Sequence, residues 1–262
     1  MATFNKRGYK EPKPKVEKAE PIFEQEALST VDEKNSTTAG VFNALDDTAN
    51  KTEAFVEKNQ KAIFGVVGAI TFIALAYFAY QKFIAEPNEE DAIEQMFVAQ
   101  QNFKQATDGV KSDSLFNLAL NGSDGKFGFV KIASEYSGTK TGNLANYYAG
   151  MAFLNSGKYD KAIEYLSDFS SDDKILKPIS IGAIGDAHAQ KNQLQEALDF
   201  YVKAAENNKN DMTTPIYLLK AGKVALALKN KEEALKFFTD IKENYEASTE
   251  AQGIDALIGL SQ

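Results

Sequence analysis

Residues 150–169, GMAFLNSGKYDKAIEYLSDF, return in altered form at 185–204 as GDAHAQKNQLQEALDFYVKA and at 222–241 as GKVALALKNKEEALKFFTDI. Each copy opens on glycine (Gly150, Gly185, Gly222). Alanine follows twelve residues on, at Ala162, Ala197 and Ala234, and a large apolar residue four further on, at Leu166, Tyr201 and Phe238. The repeat lengths are 35 and 37 residues, and a fixed period of this size marks stacked supersecondary units. Asn155-Ser156-Gly157, Lys191-Asn192 and Lys229-Asn230 read as turns between two helices of each unit. Asp160, Gln195 and Glu232 fall near the start of the second helix, where the helix dipole favours an acid. The glycine is expected mid-helix, where the two helices of a hairpin cross closely. The alanine is then the small residue of the returning helix, and the large apolar residue fills the gap to the next repeat.

On these residues, 143–246 resemble the tetratricopeptide repeat. Asn146, Ile181 and Leu218 stand where that family usually has a large aromatic early in the first helix, and no proline closes each repeat. The resemblance implies helical hairpins stacked right-handedly around a concave face. Its register puts Tyr147, Met151, Leu154, Asp186, Gln190, Lys223 and Leu226 on the first-helix face that lines the groove. That mixed surface lacks the Lys, Arg and Asn cluster that clamps a partner's terminal carboxylate, so the expected ligand is an apolar or extended polypeptide. Residues 248–260 would add a capping helix through Ile254, Leu257 and Ile258.

Upstream, Asn88 after Pro87 reads as an N-cap, and Ile93, Met96, Phe97 and Phe103 recur at helical spacing. A short helix over 113–120 should stop at Asn121-Gly122, before a loop with glycines at 125 and 128. The GSDGK within that loop lacks the spacing of a phosphate-binding loop.

Residues 62–80, AIFGVVGAITFIALAYFAY, are 19 residues without a charge, nearly the length that crosses a hydrocarbon core of about 30 Å. Tyr77, Tyr80 and Phe83 cluster at one end, where aromatic rings favour the headgroup layer. The run starts far into the chain and lacks a small-residue cleavage site, so it reads as an uncleaved anchor. Lys51, Lys58 and Lys61 precede it, whereas Glu86, Glu89, Glu90, Asp91 and Glu94 follow. The positive-inside rule then makes the N-terminus cytoplasmic. Phe42, Leu45, Ala49 and Val56 share one face of a helix that would lie on the inner leaflet, extend the spanning helix or receive a partner's helix. Lys6, Arg7, Lys10, Lys13, Lys15 and Lys18, interleaved with prolines 12, 14 and 21, cannot support a core. The expected organisation is a disordered cytoplasmic tail over 1–40, a juxtamembrane amphipathic helix over 41–61, a transmembrane helix over 62–83 and an extracytoplasmic repeat domain over 88–262. The fold class is all-α, a single transmembrane helix followed by a tetratricopeptide-repeat-like α-solenoid.

The 262 residues contain no cysteine, which removes disulfides, thiolate metal sites and cysteine nucleophiles. Residues 84–262 hold 18 lysines against 26 aspartates and glutamates, a net of −8, with no arginine. Nucleic acid, which wants a basic face, is therefore not an expected partner. The single histidine, His188, aligns with a packing position, and no nucleophile–base pair, metal cluster or cofactor motif is visible. The chain reads as a non-enzyme.

The layout as a whole, with FVEKNQK before the membrane segment, Pro87 soon after it, then LANYYAGMAFLNSGKYDKAIEYLSDF and YVKAAENN, resembles the YfgM family of bacterial inner-membrane proteins from Thr52 onward. The resemblance implies a single-pass inner-membrane protein with a periplasmic C-terminal domain. It also implies an ancillary role beside the Sec translocon, together with the chaperone PpiD, on nascent or unfolded polypeptides. The alternative is a non-catalytic scaffold subunit of another envelope secretion or outer-membrane assembly machine.

Overall fold

A computed structural model describes residues 37–109 and 112–262, with no side-chain description at 37–40, 42 and 43. The basic and proline-containing stretch expected as a tail lies outside the described residues up to 36, as does the side chain of Phe42. The chain divides into two compact units, Met1–Thr71 and Phe72–Gln262.

The helix α1, Thr37–Tyr80, contains both the amphipathic stripe and the apolar run. Leu45 and Val56 are exposed, and so is the whole apolar face from Phe64 to Phe78, with Phe72 at 73%. Among the described residues nothing covers these side chains, although a soluble helix of this composition would be buried. Helical structure continues through the π-helical turn Gln81–Ala85 into α2, Glu86–Asp108. The continuous helical stretch, Ala44–Asp108, is the one among the described residues long and apolar enough to cross a membrane. At 65 residues it far exceeds the roughly 20 that one crossing needs. Asn88 is therefore not an N-cap. Pro87 sits in the first turn of α2, where its missing N–H costs no hydrogen bond of its own segment.

In the second unit α2 turns one stripe inward, Ala92, Met96, Ala99 and Ala106. Ile93 and Phe97 face solvent, contrary to the single apolar face read from the sequence. The helix α3, Asp113–Asn121, ends as expected. The glycine loop beyond it is an antiparallel pair of two-residue strands, β1 (Gly122–Ser123) and β2 (Lys126–Phe127), followed by an unforeseen helix, α4 (Phe129–Glu135). Phe103, Phe116, Phe129 and Tyr148 pack edge-on and stacked, joining α2, α3 and α4 to the helix Lys140–Asn155.

The repeats are three hairpins: α5 (Lys140–Asn155) with α6 (Tyr159–Asp168), α7 (Leu176–Gln190) with α8 (Leu194–Glu206), and α9 (Thr214–Ala227) with α10 (Lys231–Asn244). Each first helix ends in the same way. Gly157, Asn192 and Lys229, all seven residues past the repeat glycine, take positive φ. The next N–H reaches five residues back, from Lys158 to Phe153 O, from Gln193 to His188 O and from Asn230 to Ala225 O, each at 2.9 Å. This is the Schellman closure, which satisfies helix-end carbonyls and reverses the chain.

The repeat glycines have a different partner from the one expected. A Cβ on Gly150 would meet Leu166 Cγ at 2.5 Å, and one on Gly185 would meet the Tyr201 ring at 2.8 Å. A Cβ on Gly222 would collide with Phe238. The large apolar residue thus fills the notch over the glycine of its own hairpin, and does not chiefly bridge to the next repeat. The bridge from repeat two to repeat three is Tyr217, whose ring lies over Gly182 and beside Tyr201.

Two core clusters result. The first runs from Met96 to Ala187 and the second from Ile181 to Ile254, so α7 faces both and is buried nearly all round. A 3₁₀ turn, Thr249–Ala251, and α11, Ile254–Ser261, close the second cluster, with Ile254 buried and Leu257 and Ile258 packed beside it.

Candidate functional site

The first helices α5 and α7 end side by side, and a surface cavity of about 610 Å³ opens there. Three of the groove residues named from the sequence line it: Leu154, Asp186 and Gln190. The others lie elsewhere. Tyr147 is half-buried against Tyr148 and Phe169, with centroids at 5.5 and 5.3 Å, and Met151 packs on the first core. Leu226 packs on the second core, and Lys223 is exposed on α9. The apolar members of the sequence-derived face are therefore largely committed to packing, and the remaining side chains of the cavity wall are polar apart from Ala189.

Asp186 is the centre of the site. Tyr201 Oη donates to its Oδ1 at 2.7 Å, and Lys220 Nζ donates to Oδ1 at 2.7 Å and to Oδ2 at 2.9 Å. The ammonium also stands 5.5 and 5.6 Å from the ring centroids of Tyr201 and Tyr217, within cation–π range. Burial first, and the Asp186 carboxylate second, push both phenols well above their ordinary pKa, so both stay neutral and Tyr201 keeps the proton it donates. Three helices of two successive repeats, α7, α8 and α9, are joined at this carboxylate.

Tyr159, Tyr201 and Asp113 line the cavity as well, and sequence reasoning did not place them there. In the sequence Tyr201 reads only as a packing residue. The one available signal is the opposite charge of Asp186 and Lys220 on consecutive first helices. Asp113 and Tyr159 reach the cavity from α3 and α6, which only the tertiary fold brings together. His188 is half-buried, as expected of a packing position: its ring stacks on Phe200 at 5.2 Å, and Nδ1 lies 2.9 Å from Gln193 Oε1. Among the described residues no group of three or more His, Asp and Glu side chains is placed to hold a metal ion.

Stacked hairpins with a side-chain-lined cavity at the helix ends define a helical-repeat interaction scaffold. Residues 180–211, which span α7 and α8, match the tetratricopeptide repeat, a module that mediates binding between proteins. No curated protein and no solved structure matches the chain.

Proposed function

We propose that this chain is a membrane-tethered protein-interaction module, with its N-terminus cytoplasmic and its repeat domain in the periplasm of a bacterial inner membrane. It works beside the Sec translocon, binding emerging polypeptides or a PpiD-like partner chaperone. The tail over 1–40, the juxtamembrane helix over 41–61 and the spanning segment over 62–83 anchor the extracytoplasmic domain over 88–262. The observation that carries this reading is the uncovered apolar face of α1 in the same chain as a tetratricopeptide repeat. Tethering confines the cavity near the membrane surface, where a chain leaving a neighbouring channel arrives at high effective concentration, so modest affinity suffices. The lysines before the apolar run and the acids after it support the orientation.

Photo-crosslinkers at the exposed Gln190 and Lys223 test the partner, and they should capture exported chains or Sec-associated proteins. Capture of one fixed outer-membrane component instead would favour a scaffold of another envelope machine and overturn the reading. Orientation is tested separately. The chain has no cysteine, so a single Asn208→Cys should react with an impermeant maleimide added outside the inner membrane, and protection there would reverse the assignment.

A further inference from the structure

We propose that the cavity at the ends of α5 and α7 receives a lysine or arginine side chain of the bound polypeptide, with the Asp186 carboxylate as its anchor. This rests on the reading of the domain as a polypeptide-binding module and adds the chemistry of what it selects. The charged residues lining the cavity among those described, Asp113 and Asp186, are both acidic. The C-terminal ends of α5 and α7 meet it beside the first residues of α3 and α6, so the helix dipoles oppose one another and the carboxylates set the sign of the field. The half-buried Tyr159 adds an aromatic side chain to the wall, and aromatic faces attract cations.

The molecule already demonstrates the recognition on the adjoining side. Lys220 holds its ammonium on Asp186 and over two tyrosine rings. Asp186 keeps room for a second donor. Its Oδ1 accepts from Tyr201 and Lys220 and its Oδ2 from Lys220 alone, whereas an ionised carboxylate offers about four acceptor positions. The carboxylate is a third exposed and lines the cavity. The volume of about 610 Å³ falls among side-chain- and ligand-sized sites, roughly 300–1,000 Å³. An apolar side chain finds little there, since among the described residues Leu154 and Ala189 are the only aliphatic side chains on the wall.

The full-length chain in mild detergent, titrated with labelled, end-blocked, extended peptides bearing a central lysine, arginine, norleucine or glutamate, tests this by fluorescence anisotropy. Lysine and arginine peptides should bind about tenfold more tightly than the norleucine peptide at low salt, and the gap should narrow as salt screens the contact. Asp186→Asn should bring the basic peptides to the norleucine value of the same variant. Lys220→Met, which releases the carboxylate, should tighten the basic peptides only. If Asp186→Asn fails to fold, Lys220→Met still decides, because an unchanged affinity for basic peptides overturns the proposal. Equal binding of lysine and norleucine peptides, or a preference for glutamate, overturns it and leaves the polypeptide-binding reading standing. Binding of none of the four removes that reading and the proposal together.

Discussion

Gly222→Ala adds one methyl group to the middle of α9, and two opposing effects decide the outcome. Helix propensity favours alanine by about 1 kcal/mol. Against it, the new Cβ would stand 2.7 Å from Phe238 Cζ and 2.9 Å from Cδ1, and closer still to Cε1. Carbon atoms in contact prefer about 3.5–4.0 Å, so the ring must move by roughly 1 Å. Phe238 is fully buried among the second core cluster and has nowhere to go. Overpacking of this kind costs about 1–3 kcal/mol, and a displacement this large belongs in the upper part of that range. The net expectation is a loss of about 1–2 kcal/mol. Phe238→Leu alone removes ring atoms and leaves a void, costing about 1–2 kcal/mol. In the double variant the methyl enters the vacated space, and the two changes should couple favourably by about 1 kcal/mol or more. Urea melts followed by circular dichroism measure the four corners of the cycle. Hydrogen exchange on α9 and α10 localises the effect, because repeat arrays unfold piecewise. Gly259→Ala in α11, where a Cβ meets nothing within 4 Å, is the control and should be neutral or stabilising. The reasoning is refuted if Gly222→Ala is as stable as the parent, or if the double variant is additive within about 0.5 kcal/mol.

Glu89 on α2 accepts from Lys140 N at 2.7 Å, Thr141 N at 3.0 Å and Thr141 Oγ1 at 2.5 Å, tying α2 to the first turn of α5. Glu89→Ala should cost about 1–2 kcal/mol and speed amide exchange at residues 140 and 141, and unaltered exchange would show the tie to be idle. Because Tyr201 and Tyr217 have folded pKa values raised above the ordinary 10, the stability they give is complete below that pH and is lost as pH rises above it. Ultraviolet titration should therefore show Tyr201 and Tyr217 ionising last among the phenols, and Tyr201→Phe together with Tyr217→Phe should remove that latest phase. Ile70→Asp, in the exposed apolar face of α1, should cost about 3–4 kcal/mol of membrane insertion and release protein in carbonate extraction, whereas persistence in the pellet would argue against a bilayer around that segment.

The hairpins were legible because their signals are local. A glycine, an alanine twelve residues later and turn residues between them fix two helices and a reversal whatever lies nearby, and α5 to α10 follow that pattern. Local signals also misled. Pro87-Asn88 looks like a helix start, yet proline is tolerated in a first turn, so it does not interrupt the helical stretch from Ala44 to Asp108. The strands at 122–127 are too short to show periodicity, and α4 offers only seven residues.

By itself, the sequence determined the helical class, the repeat period, the charge-free run at 62–80 and the absence of cysteine chemistry, since each depends on residue identity and spacing along the chain. Tertiary structure alone decided which residues share a surface. It committed Tyr147, Met151 and Leu226 to packing, put Leu166, Tyr201 and Phe238 over the glycines of their own hairpins, and brought Asp113, Tyr159 and Asp186 from three helices to one cavity. Periodicity specifies the face of a helix on which a side chain lies, whereas contact across that face depends on the angle and depth at which a distant helix packs, and no spacing within one segment encodes them.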